Sequence, residues 1–163
     1  MYMKNKVYIK EILVIIVLSI ILGVLRNILM IEPLPLLKEK KTLNNIEGLS
    51  IPEKLDEPMS IDLDLAYKLF NDKALFIDAR AVEDYVNGHI ENSVNIPYDE
   101  IESYEDDILD FDVLLPVVIY CSGGECELSM HLGDMLFDDY EFEKVLIFEA
   151  GFPAWQEAGY PIK

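Results

Sequence analysis

The stretch Val117-Val118-Ile119-Tyr120-Cys121-Ser122-Gly123-Gly124-Glu125-Cys126-Glu127 constrains the fold more than any other. Four apolar residues end in a cysteine and two glycines follow. Residues 128–137 then carry apolar side chains at helical spacing. That order reads as strand, tight loop, helix. A cysteine between the C-terminal end of a parallel strand and a helix N-terminus meets inward-pointing amides and the positive end of a helix dipole. Both favour the thiolate, which is the nucleophilic form. The same cysteine also fits as a small buried hydrophobe at a strand end. This segment alone does not choose between the two.

The flanking sequence repeats the alternation. Order begins near Ser60, where Asp62 is a plausible N-cap and Leu63, Leu65, Ala66, Leu69 and Phe70 form one apolar stripe. Residues 74–77 read as a buried strand with Asp78-Ala79-Arg80 at its C-terminal end. Residues 81–86 suit a short helix broken at Asn87-Gly88, and residues 93–96 a second strand stopped by Pro97. Residues 98–112 are strongly acidic, with Ile101, Ile108, Leu109 and Phe111 as apolar contacts, and predict a surface helix with irregular flanks. Residues 145–148 predict another strand, and Gly151 and Pro153 introduce a final short helix carrying Trp155. Strands alternating with helices indicate an α/β domain on a parallel sheet.

A different rule governs the N-terminus. Residues 12–25 hold no charge, and apolar character continues past Arg26 to Ile31. Twenty residues make a helix of roughly 30 Å, which matches a bilayer core. Arg26 lies near the far end, where it can snorkel. A cleaved signal peptide wants small residues after the apolar run, and none stand around Leu25-Arg26-Asn27-Ile28. A lipoprotein would need a cysteine here, and none precedes Cys121. The expected organisation is therefore a tail (1–11), a transmembrane anchor (12–31), a Pro-containing linker (32–58) and a globular domain (59–163). Lys4, Lys6 and Lys10 favour a cytoplasmic N-terminus and a domain outside the cytoplasm, although Lys38, Lys40 and Lys41 blur the bias. Net charge is −18, split as +3 over residues 1–48 and −21 over residues 49–163. A domain this acidic repels nucleic acid, and its acidic surface could face a basic partner or a membrane protein.

The motifs then converge on a family. Asp78-Ala79-Arg80, Glu83-Asp84-Tyr85, Gly88-His89-Ile90 and Asn95-Ile96-Pro97 closely match the N-terminal signature of rhodanese-like domains. Glu149-Ala150-Gly151-Phe152-Pro153-Ala154-Trp155 resembles their C-terminal signature, and Cys121 stands where the family keeps its catalytic cysteine. The resemblance runs from about residue 60 to residue 162. It implies a five-stranded parallel sheet flanked by helices, here behind one transmembrane helix. It also implies sulfurtransferase chemistry, in which Cys121 holds sulfane sulfur as a persulfide. Loop amides of Ser122, Gly123, Gly124, Glu125, Cys126 and Glu127 would cradle that anion. Asp78 and Arg80 would support the loop as an ion pair, and His89 would pack and hydrogen-bond rather than act as a base.

Two departures from the family pattern matter. The loop carries Glu125 and Glu127 and no Lys or Arg. Each carboxylate a few ångströms from a dianionic donor costs on the order of 1–4 kcal/mol, so polysulfide or persulfide is expected as donor in place of thiosulfate, with a thiol as acceptor. A phosphatase would need an arginine in such a loop. The second departure is Cys126, which could resolve a persulfide on Cys121 or lie under the loop as a small apolar residue. Cys121, Cys126, Glu127 and His131 could be imagined around a metal, but the loop suits amide convergence better. No cofactor and no metal are expected. The alternatives to sulfur transfer are a thiol–disulfide or polysulfide redox protein using Cys121 and Cys126, and a rhodanese-fold binding module without turnover.

Overall fold

The computed structural model describes residues 2–29, 43–44, 50–124 and 126–163. The chain divides into two units, residues 1–41 and 42–163.

The first unit contains helix α1 (Tyr2–Leu29). Its segment Tyr8–Leu29 is 22 residues long with a mean hydropathy of 2.7, so this helix is long and apolar enough to cross a membrane. From Tyr8 onward its apolar side chains are exposed all round, with no face set aside for a protein core. The expected span of 12–31 overlaps it, while Ile31 lies outside the described residues. Arg26 falls in the last turn, where a cation complements the helix dipole.

The second unit is a five-stranded, wholly parallel sheet. In chain order it runs β1 (Met59–Ser60), α2 (Leu63–Asn71), β2 (Leu75–Asp78), α3 (Val82–Val86) and β3 (Val94–Asn95). A 3₁₀ helix (Tyr98–Tyr104) follows, then α4 (Glu105–Leu109), β4 (Val117–Tyr120), α5 (Leu128–Asp138), β5 (Val145–Phe148) and α6 (Gly151–Glu157). The spatial order is β1-β5-β4-β2-β3, which puts β4 at the centre. All four residues of β4 and of β5 are buried, because helices cover both faces.

Side-chain alternation divides the core in two. Val117 and Ile119 of β4 join Ile77, Val145 and Ile147 against Leu132 and Leu136 of α5 and Ile108 of α4. Val118 and Tyr120 join Phe76, Leu146 and Phe148 against Leu65 and Leu69 of α2 and Trp155 of α6. Trp155 is ringed by Tyr67, Phe70, Phe76, Phe148 and Tyr160. Asp62 caps α2, its carboxylate accepting from the Leu65 amide at 2.8 Å.

Two details differ from the sequence reading. The acidic segment 98–112 forms a 3₁₀ helix and a five-residue α-helix in place of one surface helix, with a kink at Glu100. Ile101 and Ile108, seven residues apart, still reach the same core from these two pieces. The edge strand β1 has only two residues, too short to leave a pattern in the sequence.

Candidate functional site

β4 delivers Cys121 to the C-terminal edge of the sheet. The chain leaves β2 toward β3 on one side and β4 toward β5 on the other. Cys121 therefore lies at the switch point of the sheet, where open α/β sheets form their crevice. The residue is fully buried.

The loop is built against the turn that follows β5. The Phe152 amide donates to the Cys121 carbonyl at 2.9 Å. Gly123, Gly124 and Gly151 have φ of +73°, +65° and +65°, a region costly to residues with a Cβ. At Gly123 and Gly151 space excludes one as well. A Cβ on Gly151 would strike the Cys121 carbonyl oxygen and lie 2.6 Å from the Gly123 nitrogen. Gly133 does the same service below, letting α5 approach β5 so closely that a Cβ would meet Ile147 Cδ1 at 2.6 Å. These close contacts fix the height of the loop over the sheet.

Around the sulfur, the Ser129 hydroxyl donates to Cys121 Sγ at 3.4 Å, and Cys121 Sγ reaches the Cys126 carbonyl oxygen at 3.4 Å. Ser129 is buried in the first turn of α5. Cys126 is half-buried. Burial first, then the hydrogen bond to Cys121, pushes the Cys126 thiol up from its ordinary range. Convergence of the loop amides on Cys121 was the sequence expectation. In the structure the Cys126 amide donates to the Gly123 carbonyl at 3.2 Å.

The other singled-out residues fall into place around this centre. Ser122 and Gly124 are exposed and Gly123 is half-buried, while Glu125 lies outside the described residues. Glu127 occupies the cap position of α5, 3.7 Å from His131 Nε2. Among the described residues no group of three or more His, Cys, Asp or Glu is arranged to hold a metal ion. Asp78 and Arg80 form a buried pair beside the loop. Arg80 Nε and Nη2 donate to the carboxylate at 2.9 and 2.6 Å, Nη2 also donates to the Gly88 carbonyl at 2.8 Å, and the guanidinium lies 4.5 Å from the Phe152 ring centroid. Burial opposes the Arg80 charge, and the Asp78 carboxylate overcomes it, raising the guanidinium pKa above its usual value. His89 stacks on Tyr85 at 3.7 Å, and its Nδ1 meets the Tyr85 carbonyl oxygen at 2.8 Å.

The sequence model of the family described as Rhodanese-like domain matches residues 62–158. The chain belongs to the rhodanese-like domain family. Its curated relatives include uncharacterized proteins of Buchnera aphidicola from Acyrthosiphon pisum and from Schizaphis graminum. Each is 29% identical, over 60% and 59% of this chain and 66% and 63% of their own length. The matches thus span just under two thirds of those relatives. Among solved structures, a rhodanese-related protein from Thermoplasma volcanium superposes with a TM-score of 0.50 at 22% identity, covering 64% of this chain and 96% of that one. A thiosulfate sulfurtransferase from Pseudomonas aeruginosa superposes with a TM-score of 0.52 at 21% identity, covering 66% and 20%. At these identities the likeness is one of fold.

A cavity of about 830 Å³ opens elsewhere, walled by Phe70, Phe76, Phe111, Leu115 and Phe142. It includes Leu75 and Val117, the first residues of β2 and β4, so it lies at the opposite end of the rhodanese-like sheet from Cys121. The candidate site is the cysteine loop, where Cys121, the Ser129 hydroxyl and Cys126 meet. Sequence reading missed Ser129. Its signal was present: Ser129 is the one polar residue on the buried α5 face formed with Leu132, Gly133 and Leu136.

Proposed function

We propose that this rhodanese-like domain carries sulfane sulfur as a persulfide on Cys121, at a membrane to which α1 anchors it. The Cys121 thiolate attacks the outer sulfur of a persulfide donor. The donor S–S bond breaks, the donor thiol leaves with the proton, and the outer sulfur stays on Cys121 as an anionic persulfide. One observation carries the reading: a buried cysteine at the end of the central strand, with the Ser129 hydroxyl donating to its sulfur. Residues 121–143 include no Lys or Arg, which disfavours a dianionic donor such as thiosulfate. Polysulfides and low-molecular-weight persulfides fit better.

The test is intact mass of the detergent-solubilised full chain after separate exposure to polysulfide, cysteine persulfide and thiosulfate. Gain of one sulfur from the first two donors, or its discharge as sulfide, absent in Cys121→Ser, is the expected result. A chain that neither gains sulfur nor releases sulfide with any of the three overturns the reading.

A further inference from the structure

We infer that Cys126 is the acceptor for the sulfur carried on Cys121, so that the loop releases hydrosulfide and closes as a Cys121–Cys126 disulfide. The inference rests on the carrier reading above and names what happens to the persulfide next.

The two cysteines are the only ones in the chain, and both are free thiols in one loop. Cys121 Sγ lies 3.4 Å from the Cys126 carbonyl oxygen. Adding a C=O and a Cα–C bond sets it within about 6 Å of Cys126 Cα. The Cys126 amide donates to the Gly123 carbonyl at 3.2 Å, which closes the loop tightly between the two cysteines. Gly123 and Gly124, both at positive φ, give the backbone the curl that brings residues 121 and 126 together. Cys126 is held protonated at rest, which suits the second thiol in the sequence of events better than the first attacker. Cys121 is fully buried, whereas Cys126 is half-buried. An external acceptor must reach past the residue that already touches the sulfur.

The step balances without an external oxidant. The Cys126 sulfur attacks Cys121 Sγ, the inner sulfur of the persulfide. The bond between inner and outer sulfur breaks as the Cys121–Cys126 bond forms. The outer sulfur leaves with the bonding pair and takes the Cys126 proton, giving hydrosulfide. Sulfane sulfur is reduced to sulfide, and the two cysteines are oxidised to a disulfide. Two equivalents of a thiol, or one of a dithiol protein, return the loop to its starting state by exchange. A reaction that regenerates such a thiol must therefore serve this domain.

The full chain in detergent is mixed with one equivalent of cysteine persulfide, desalted at once to remove the cysteine that the donor leaves behind, and followed by intact mass and by released sulfide. The parent should release one equivalent of sulfide and end two hydrogens lighter. Cys126→Ser and Cys126→Ala should each stay heavier by one sulfur, with sulfide release lost until a small thiol is added. A parent that holds the added sulfur stably, or a Cys126→Ser chain that releases sulfide as fast as the parent, overturns the inference and leaves the carrier reading intact. A parent that neither gains sulfur nor releases sulfide, together with Cys126 variants that gain none, overturns both.

Discussion

Ser129 contributes a single hydroxyl, and its position makes it consequential. It is buried, it lies in the first turn of α5, and it donates to Cys121 Sγ. A hydrogen bond to a charged group is worth on the order of 1.5–3 kcal/mol. Ser129→Ala should therefore slow iodoacetamide alkylation of Cys121 at neutral pH by about tenfold, while Ser129→Thr should retain much of the rate. Peptide mapping of the alkylated chain checks this, and an unchanged rate in the alanine variant would remove Ser129 from the site. Gly151 acts sterically. At φ +65° it holds its Cα against the Cys121 carbonyl and the Gly123 amide. Gly151→Ala should lower stability by at least about 1–2 kcal/mol from the left-handed backbone alone, and more from the collision with the loop. Denaturant unfolding followed by the fluorescence of Trp155, the single tryptophan, reads this directly. Of the candidate site, Cys121, the loop glycines and Cys126 were legible in the sequence, because each belongs to one short run. Ser129 and the Gly151 contact were not singled out, since their partners lie eight and thirty residues away from them along the chain.

The elements are tied together at the C-terminal ends of β2 and β4. Asp78 closes β2, and its carboxylate is satisfied by Arg80, which in turn binds the Gly88 carbonyl and packs on Phe152 of α6. Removing one partner leaves an uncompensated buried charge, at about 3–5 kcal/mol. Asp78→Ala should unfold at markedly lower denaturant, and the double replacement Asp78→Ala with Arg80→Met should recover part of the loss. Without such recovery the pairing would not be the source of the cost. Tyr120 closes β4. Its hydroxyl accepts from the Ile90 amide at 3.1 Å and meets Ser93 Oγ at 2.9 Å. Burial, followed by the Asp78 charge, raises its pKa well above the tyrosine range. The stabilisation from keeping this phenol neutral is complete below about pH 10, the tyrosine value in an unfolded chain, and is lost as pH rises toward the folded value. Tyr85 shifts in the same direction. Unfolding midpoints should hold steady to about pH 9 and then fall, and Tyr120→Phe should flatten that fall. The three four-residue strands were legible because burial on both faces of a sheet writes unbroken apolar runs, and β3 because Pro97 stops the short run that contains it. β1 was not, because two residues carry no period, and the kink at Glu100 was hidden inside a uniformly acidic run.

At the scale of the whole molecule, an apolar helix and a very acidic domain share one chain. Residues 49–163 carry a net charge of −21, whereas the tail before the helix holds Lys4, Lys6 and Lys10. The cytoplasmic leaflet is anionic, attracts basic juxtamembrane residues and repels acidic ones within a Debye length. Both charge groups are therefore best placed with the tail in the cytoplasm and the domain on the other side. Residues 8–29 are the single candidate span among the described residues. A chain beginning at Leu49 should accordingly leave the membrane fraction and remain soluble without detergent. Persistence in membranes would reveal a second attachment. Orientation is read separately, by adding protease to intact cells expressing the full chain. Extracytoplasmic placement predicts loss of the domain, assayed with an antibody against its C-terminal residues, while a cytoplasmic control protein survives. A domain protected until the cells are lysed would reverse the orientation, and would place the acidic surface against the anionic leaflet that the charge argument says it avoids.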